Sequence, residues 1–140
     1  MMAMPPYATM LGLVRSDAGF TMPFGVHLIG SPGRLHGGAV AGLMEIAANV
    51  CVRDAVDDPG TSLKPVNVTV DYLREGRMED THAEAFILRL GRRVANVRVE
   101  AWQGDRNRLI AAARMNVLVL RPAATRQPDA RNRGASHGQP

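Results

Sequence analysis

A single cysteine, Cys51, leaves the chain unable to form an intrachain disulfide, and it lies in an apolar run where a thiol behaves as a small hydrophobe. That excludes a disulfide-stapled secreted scaffold and a zinc site built on paired cysteines. Lysine is almost missing too: of 17 basic residues only Lys64 is not arginine. Aromatic residues make up 4% of the sequence, so the clustered basic and aromatic side chains that grip nucleic acid are absent. No apolar run approaches the roughly 20 residues of a membrane span. The start, Met1-Met2-Ala3-Met4-Pro5-Pro6, lacks the basic and apolar regions of a signal peptide. The cytoplasm is the expected compartment, with neither membrane nor nucleic acid as a partner.

Other chemistries fall away in the same manner. No G-x-S-x-G elbow occurs, and Ser16, Ser31, Ser62 and Ser136 lack the setting of a nucleophile triad. His27, His36, His82 and His137 are not spaced as metal ligands, so neither metal nor cofactor is expected. The glycine-rich run 30–38 lacks the order and the lysine of a P-loop.

What remains is an ordinary globular composition, 46% hydrophobic and 21% charged over 140 residues, enough for one domain. The net charge of +4 is unevenly spread, because residues 121–140 hold four Arg and one Asp and so account for +3 of it. From Arg121 onward no Val, Ile, Leu, Met or aromatic residue appears, while Pro122, Pro128, Gly134, Gly138 and Pro140 punctuate the stretch. Such a segment cannot bury enough surface to order itself. The domain is therefore expected to span 1–120, with 121–140 a disordered polar tail.

Before residue 35 the signals are short: a helical turn over 7–13 and strands over 13–15 and 24–29. Gly30, Pro32 and Gly33 mark a loop. Residues 39–52 then form an apolar run whose only charged or amide side chains are Glu45 and Asn49. A helix apolar around nearly all its circumference must be enclosed by the rest of the fold. After a loop at 57–60 the period changes to alternation, with Val66, Val68, Val70 and Tyr72 on one face of a half-buried strand. Further strands are expected over 81–90, 93–102 and 108–120, joined by turns at Gly91-Arg92 and Gly104-Asp105. The architecture implied is α+β: one long central helix wrapped by a curved antiparallel β-sheet.

The chemistry centres on Leu35-His36-Gly37-Gly38-Ala39, where the loop meets the helix. A helix N-terminus carries unpaired N–H groups and a partial positive charge, and glycine leaves those donors open. Such donors suit a reaction in which charge gathers on a carbonyl oxygen, as in thioester hydrolysis. The alternative is that the two glycines merely allow tight packing. Glu45 is costly to bury among Val40, Leu43, Met44, Ile46 and Ala47 unless a partner, a proton or a cleft compensates it. In a cleft it can serve as general base or nucleophile; the other reading is a structural acid at a subunit contact. Asn49, one turn on, falls on the same face and can orient a water. Eight residues of helix separate Gly37 from Glu45 by about 12 Å, so one carbonyl can hardly touch both. The simpler arrangement draws the two from different subunits of a symmetric dimer.

Taken together, Leu35-His36-Gly37-Gly38, an acid nine positions after the His, Val70-Asp71-Tyr72-Leu73-Arg74 and Gly91-Arg92-Arg93 resemble the hotdog thioesterases related to the phenylacetate-pathway enzyme, over roughly residues 7–120. The resemblance implies a hotdog fold that hydrolyses acyl-CoA to free acid and CoA. Gly37 would polarise the thioester, Glu45 would act as base or nucleophile, and His36 would shape the loop, in a homodimer or dimer of dimers. Gly38, Asn49, Arg74, Gly91, Arg92 and Arg93 are the candidate substrate-binding residues, the arginines, with Arg77, standing at strand ends where they can meet phosphates or simply be solvated. Two departures stand out: Gly30, where many relatives carry Asn or Gln, and Pro65, where some place Ser or Thr. They keep open a noncatalytic acyl-CoA-binding protein, and a hotdog dehydratase or hydratase is the further alternative.

Overall fold

The computed structural model describes residues 4–123, and the expected tail lies, from residue 124, outside the described residues. The elements run α1 (Pro6–Leu11), β1 (Val14–Ser16), β2 (Gly19–Met22), a 3-10 turn (Val26–Leu28), α2 (Gly37–Val56), β3 (Ser62–Tyr72), β4 (Thr81–Leu90), β5 (Val94–Trp102) and β6 (Leu109–Leu120). The strands form one antiparallel sheet in the order β1-β2-β4-β5-β6-β3. The long helix against a curved antiparallel sheet is the architecture that the patterning implies.

Packing explains why α2 sits where it does. The inner sheet face is floored by small residues, Ala83, Ala95, Ala101, Ala111 and Ala113, all nearly inaccessible to solvent. Onto that shallow floor α2 lowers Leu43, Met44 and Ile46, while its own Ala39, Ala47 and Ala48 permit a close approach. Leu43 is fully enclosed at 0% exposure, so Leu43→Ala is expected to cost about 2–5 kcal/mol as transfer and cavity costs add. Thermal unfolding at fixed protein concentration checks this, and a midpoint equal to that of the wild type would contradict the packing described.

Three expectations are modified. The strand expected over 24–29 is not formed: β2 pairs with β4 through Phe20 and Met22, and Pro23, which has no N–H to continue the ladder, ends it. Phe24 donates instead to Asp80 Oδ1, and Val26–Leu28 coils into the 3-10 turn. Second, α2 is longer at both ends than the apolar run. It starts at Gly37 because His36 caps it, and it stops at Asp57, which takes a left-handed conformation with φ of 47°. Third, β3 is not half-buried in the protomer. It is an edge strand, α2 lies mainly across β4 and β5, and Val66, Val68 and Tyr72 stay 57%, 43% and 56% exposed.

Candidate active site

The first turn of α2 is built by its cap. His36 is extended, its backbone N–H donates to the Leu28 carbonyl at 2.8 Å, and its Nδ1 accepts from the Gly38 N–H at 2.9 Å. Its carbonyl accepts from Ala39 and Val40. The Gly38 amide is thereby occupied, whereas the Gly37 N–H meets no acceptor among the described residues. Of the two glycine donors foreseen, only Gly37 is open. A β-carbon on Gly38 would come within 2.8 Å of His36 Nδ1, so that glycine makes room for the cap.

Gly37 opens on a cleft of about 360 Å³ whose walls include Leu35, Val40, Leu73, Ile110 and Ala111. Arg34 and Glu75, ion-paired at 3.0 Å, lie on its rim with Arg74. Arg74 is partly committed, since its Nη1 donates to the Leu109 carbonyl at 2.7 Å. The side chain that the sequence reading missed is Tyr72, whose hydroxyl donates to the Gly37 carbonyl at 2.9 Å and which lines the same cleft. Alternation placed Tyr72 on an inner face but carries no signal that β3 ends over the start of α2.

Glu45 and Asn49 lie on a half-open stripe of α2 with Ala41, Arg53 and Val56. Glu45 has no ion pair or side-chain hydrogen bond among the described residues. It is not an acid sealed among structural partners. The Asn49 Oδ1 is buried without a hydrogen-bond partner among the described residues, an acceptor whose desolvation calls for a donor from water, ligand or another chain. Neither residue lines the Gly37 cleft.

Gly91, Arg92 and Arg93 form the β4–β5 turn, closed by the Gly91 N–H on the Val94 carbonyl at 2.9 Å, with both arginines exposed. Val94 pairs with Leu118, and Tyr72 with Ala111, so the turn sits at the far end of β6 from Gly37. The intervening stretch of β6 is about 23 Å at 3.3 Å per residue. One protomer therefore keeps Gly37, Tyr72 and Arg74 at one end, the turn arginines at the other and Glu45 between.

The two departures have physical places. A β-carbon on Gly30 would fall 2.9 Å from His36 Cα, so an Asn or Gln side chain does not fit there without moving the loop. Pro65 is exposed on the edge strand β3, beside a register shift between Pro65 and Asn67. A larger hollow of about 580 Å³ lies under the β1–β2 turn, against Ala47, Val50, Cys51 and Asp54 on another face of α2, and holds none of the candidate residues. Burial, then the nearby Asp54 charge, pushes the Cys51 thiol up, which disfavours the nucleophilic thiolate.

Comparison with known proteins bears on this arrangement. The family model described as the thioesterase superfamily matches residues 32–110, which takes in the capped glycine, Glu45, Asn49 and the β4–β5 turn. The medium/long-chain acyl-CoA thioesterase YigI of Escherichia coli K12 is 33% identical over 97 residues, covering 61% of this chain and 62% of that relative. The chain thus matches less than two-thirds of the relative's length. Thioesterase HI1161 of Haemophilus influenzae superposes with a TM-score of 0.77 at 21% identity, over 86% of this chain and 87% of that one. A phenylacetic acid degradation-related protein of Ralstonia eutropha JMP134 gives 0.73 at 24%, over 84% and 92%. BH2602 of Bacillus halodurans, solved with CoA, gives 0.76 at 19%, over 84% and 78%. At these identities the structural likeness speaks for the fold, which is the hotdog fold.

Proposed function

The chain belongs to the thioesterase superfamily, and from that premise we propose that it is an acyl-CoA thioesterase whose sites are completed by pairing of two subunits. The observation that carries the reading is the open Gly37 N–H at the mouth of an apolar cleft, with its neighbouring donor already satisfied by His36. A thioester carbonyl seated there has its oxygen on the amide at the positive end of α2, where charge builds as the acyl carbon becomes tetrahedral. Water aligned by a carboxylate attacks that carbon, the thiolate of CoA departs, and the acid is released. Glu45 is that carboxylate, as general base or as nucleophile, with Asn49 beside it to hold the water.

The exposed inner face of β3 supports the dimer. Val68 and Tyr72 are apolar and uncovered at a sheet edge, an arrangement that a second copy would bury. Two edges related by a two-fold axis run antiparallel, so the Tyr72 end of one protomer lies toward the β4–β5 turn of its partner. Arg92 and Arg93 of one subunit then approach the Gly37 end of the other, where they meet the phosphates of CoA, and Glu45 crosses in the same direction. Pro65 and the adjoining register shift confine edge pairing to the strand from Asn67 onward. Because the His36 ring nitrogen nearest the helix already serves the cap, hydrolysis fits better than a hydratase with a histidine base. The cytoplasm is the setting this reading implies.

The medium/long-chain substrate of the Escherichia coli relative is the first to test here. Purified protein is expected to release CoA, followed by a thiol-trapping reagent, from medium- and long-chain acyl-CoAs in a panel that also contains short-chain and aromatic esters. Tight acyl-CoA binding with no release from any ester would replace the hydrolase with a noncatalytic binding protein.

A further inference from the structure

We infer that Tyr72 is a positioning residue that holds the Gly37 amide in register with the thioester, an inference that rests on the hydrolysis proposed above. Two consecutive glycines open α2, and the absence of side chains that lets a substrate approach also leaves the backbone free to wander. The first N–H groups of a helix have no intrahelical partner to restrain them. Preorganisation at Gly37 therefore gains from contacts outside the helix.

The peptide unit joining Gly37 to Gly38 is gripped at both ends. Its N–H donates to His36 Nδ1 at 2.9 Å, and its carbonyl accepts from Tyr72 Oη at 2.9 Å. The preceding unit is held through the His36 carbonyl, which accepts from Ala39 at 3.0 Å and Val40 at 3.4 Å. Among the described residues, that leaves the Gly37 N–H without an acceptor and open to a ligand. His36 restrains the turn from within the loop, whereas Tyr72 ties it to the sheet. The Tyr72 backbone pairs with Ala111, and the next two amides, Leu73 and Arg74, both donate to the Ile110 carbonyl at 2.8 and 3.1 Å. The ring lies close enough that a β-carbon on Gly37 would be 3.3 Å from it. Tyr72 thus sets the distance between the amide and the β3–β6 wall of the cleft, which is the coordinate a bound thioester must match.

The test is Tyr72→Phe in the full chain, which removes the hydroxyl and keeps the ring. Two readouts are needed: steady-state hydrolysis of the best ester from the panel, and the 15N order parameter of the Gly37 amide in the free protein. The expected result is a kcat about tenfold lower with KM within about twofold, because misplacement of an oxyanion donor costs rate rather than ground-state binding. The Gly37 amide becomes more mobile while the α2 interior does not. An unchanged kcat in a hydrolysing protein, a parallel change in kcat and KM, or an unaltered Gly37 order parameter each overturns the assignment. If the wild type hydrolyses no ester, the proposed reaction fails, and the Gly37 order parameter alone still decides whether Tyr72 holds the amide.

Discussion

Glu45→Gln is expected to lower kcat by about 10²- to 10⁴-fold, the range for loss of a general base, with KM little changed. The change keeps the size and polarity of the side chain but removes its basicity and its capacity to attack an acyl carbon. Folding should be preserved, because Glu45 is half-buried and engages no ion pair or side-chain hydrogen bond among the described residues whose loss would destabilise α2. A carboxylate left without partners in the middle of a long apolar helix is hard to explain by stability, since such a charge costs free energy wherever it is partly desolvated. The proposed role as base or nucleophile would account for it. CoA release is the measurement, with circular dichroism to show that the fold is intact, and a variant as active as the wild type would end the assignment.

Gly37→Pro is expected to reduce kcat/KM by about 10²- to 10³-fold or more, the loss that follows removal of one oxyanion donor. The backbone accepts the substitution, although the ring also adds carbon beside Tyr72. Gly37 is the first residue of α2, where proline is readily accepted because its missing N–H has no helical partner. The residue before it, His36, already has φ of −66° and ψ of 129°, the extended geometry that a following proline demands. Gly37→Ala is the companion: it keeps the N–H, and its β-carbon, 3.3 Å from the Tyr72 ring, requires only a small adjustment. It should lose less than about tenfold. Equal losses for the two variants, measured under the same conditions, would mean that space at Gly37 matters and its N–H does not.

The parts of the molecule that could be read from the sequence are those where one physical demand acts over many residues. The apolar run at 39–52 must be a buried helix, and the alternation in β3 and β5 must be sheet, because no other periodicity buries those side chains together. The open amide was legible for a related reason, since a glycine pair before a helix leaves donors unpaired. Features that depend on one long-range contact were not. That Gly38 is already satisfied follows from the turn of the His36 ring, and the need for glycine at position 30 follows from the approach of His36 Cα, which no local pattern encodes. The β2 strand is four residues long and begins with glycine, too short for alternation to register, so the signal was assigned beyond Pro23 instead. Tyr72 is visible in the sequence as an apolar member of an alternating strand and as part of a family-like segment, but its bond to Gly37 arises where β3 ends over α2. The exposure of β3 is informative because the pattern demands burial and the protomer does not provide it. The proposed pairing of two subunits would supply that burial.

Gly37 of one subunit is proposed to work with Glu45 of another, and complementation tests that sharing most directly. Gly37→Pro and Glu45→Gln proteins, each nearly inactive alone, are mixed, dissociated and reassociated. In a mixed dimer one site inherits both defects and the other inherits neither, so random reassortment restores about a quarter of wild-type activity. If the two residues serve the same site within one subunit, the mixture stays as inactive as its components however completely the dimers exchange, and the shared site is refuted.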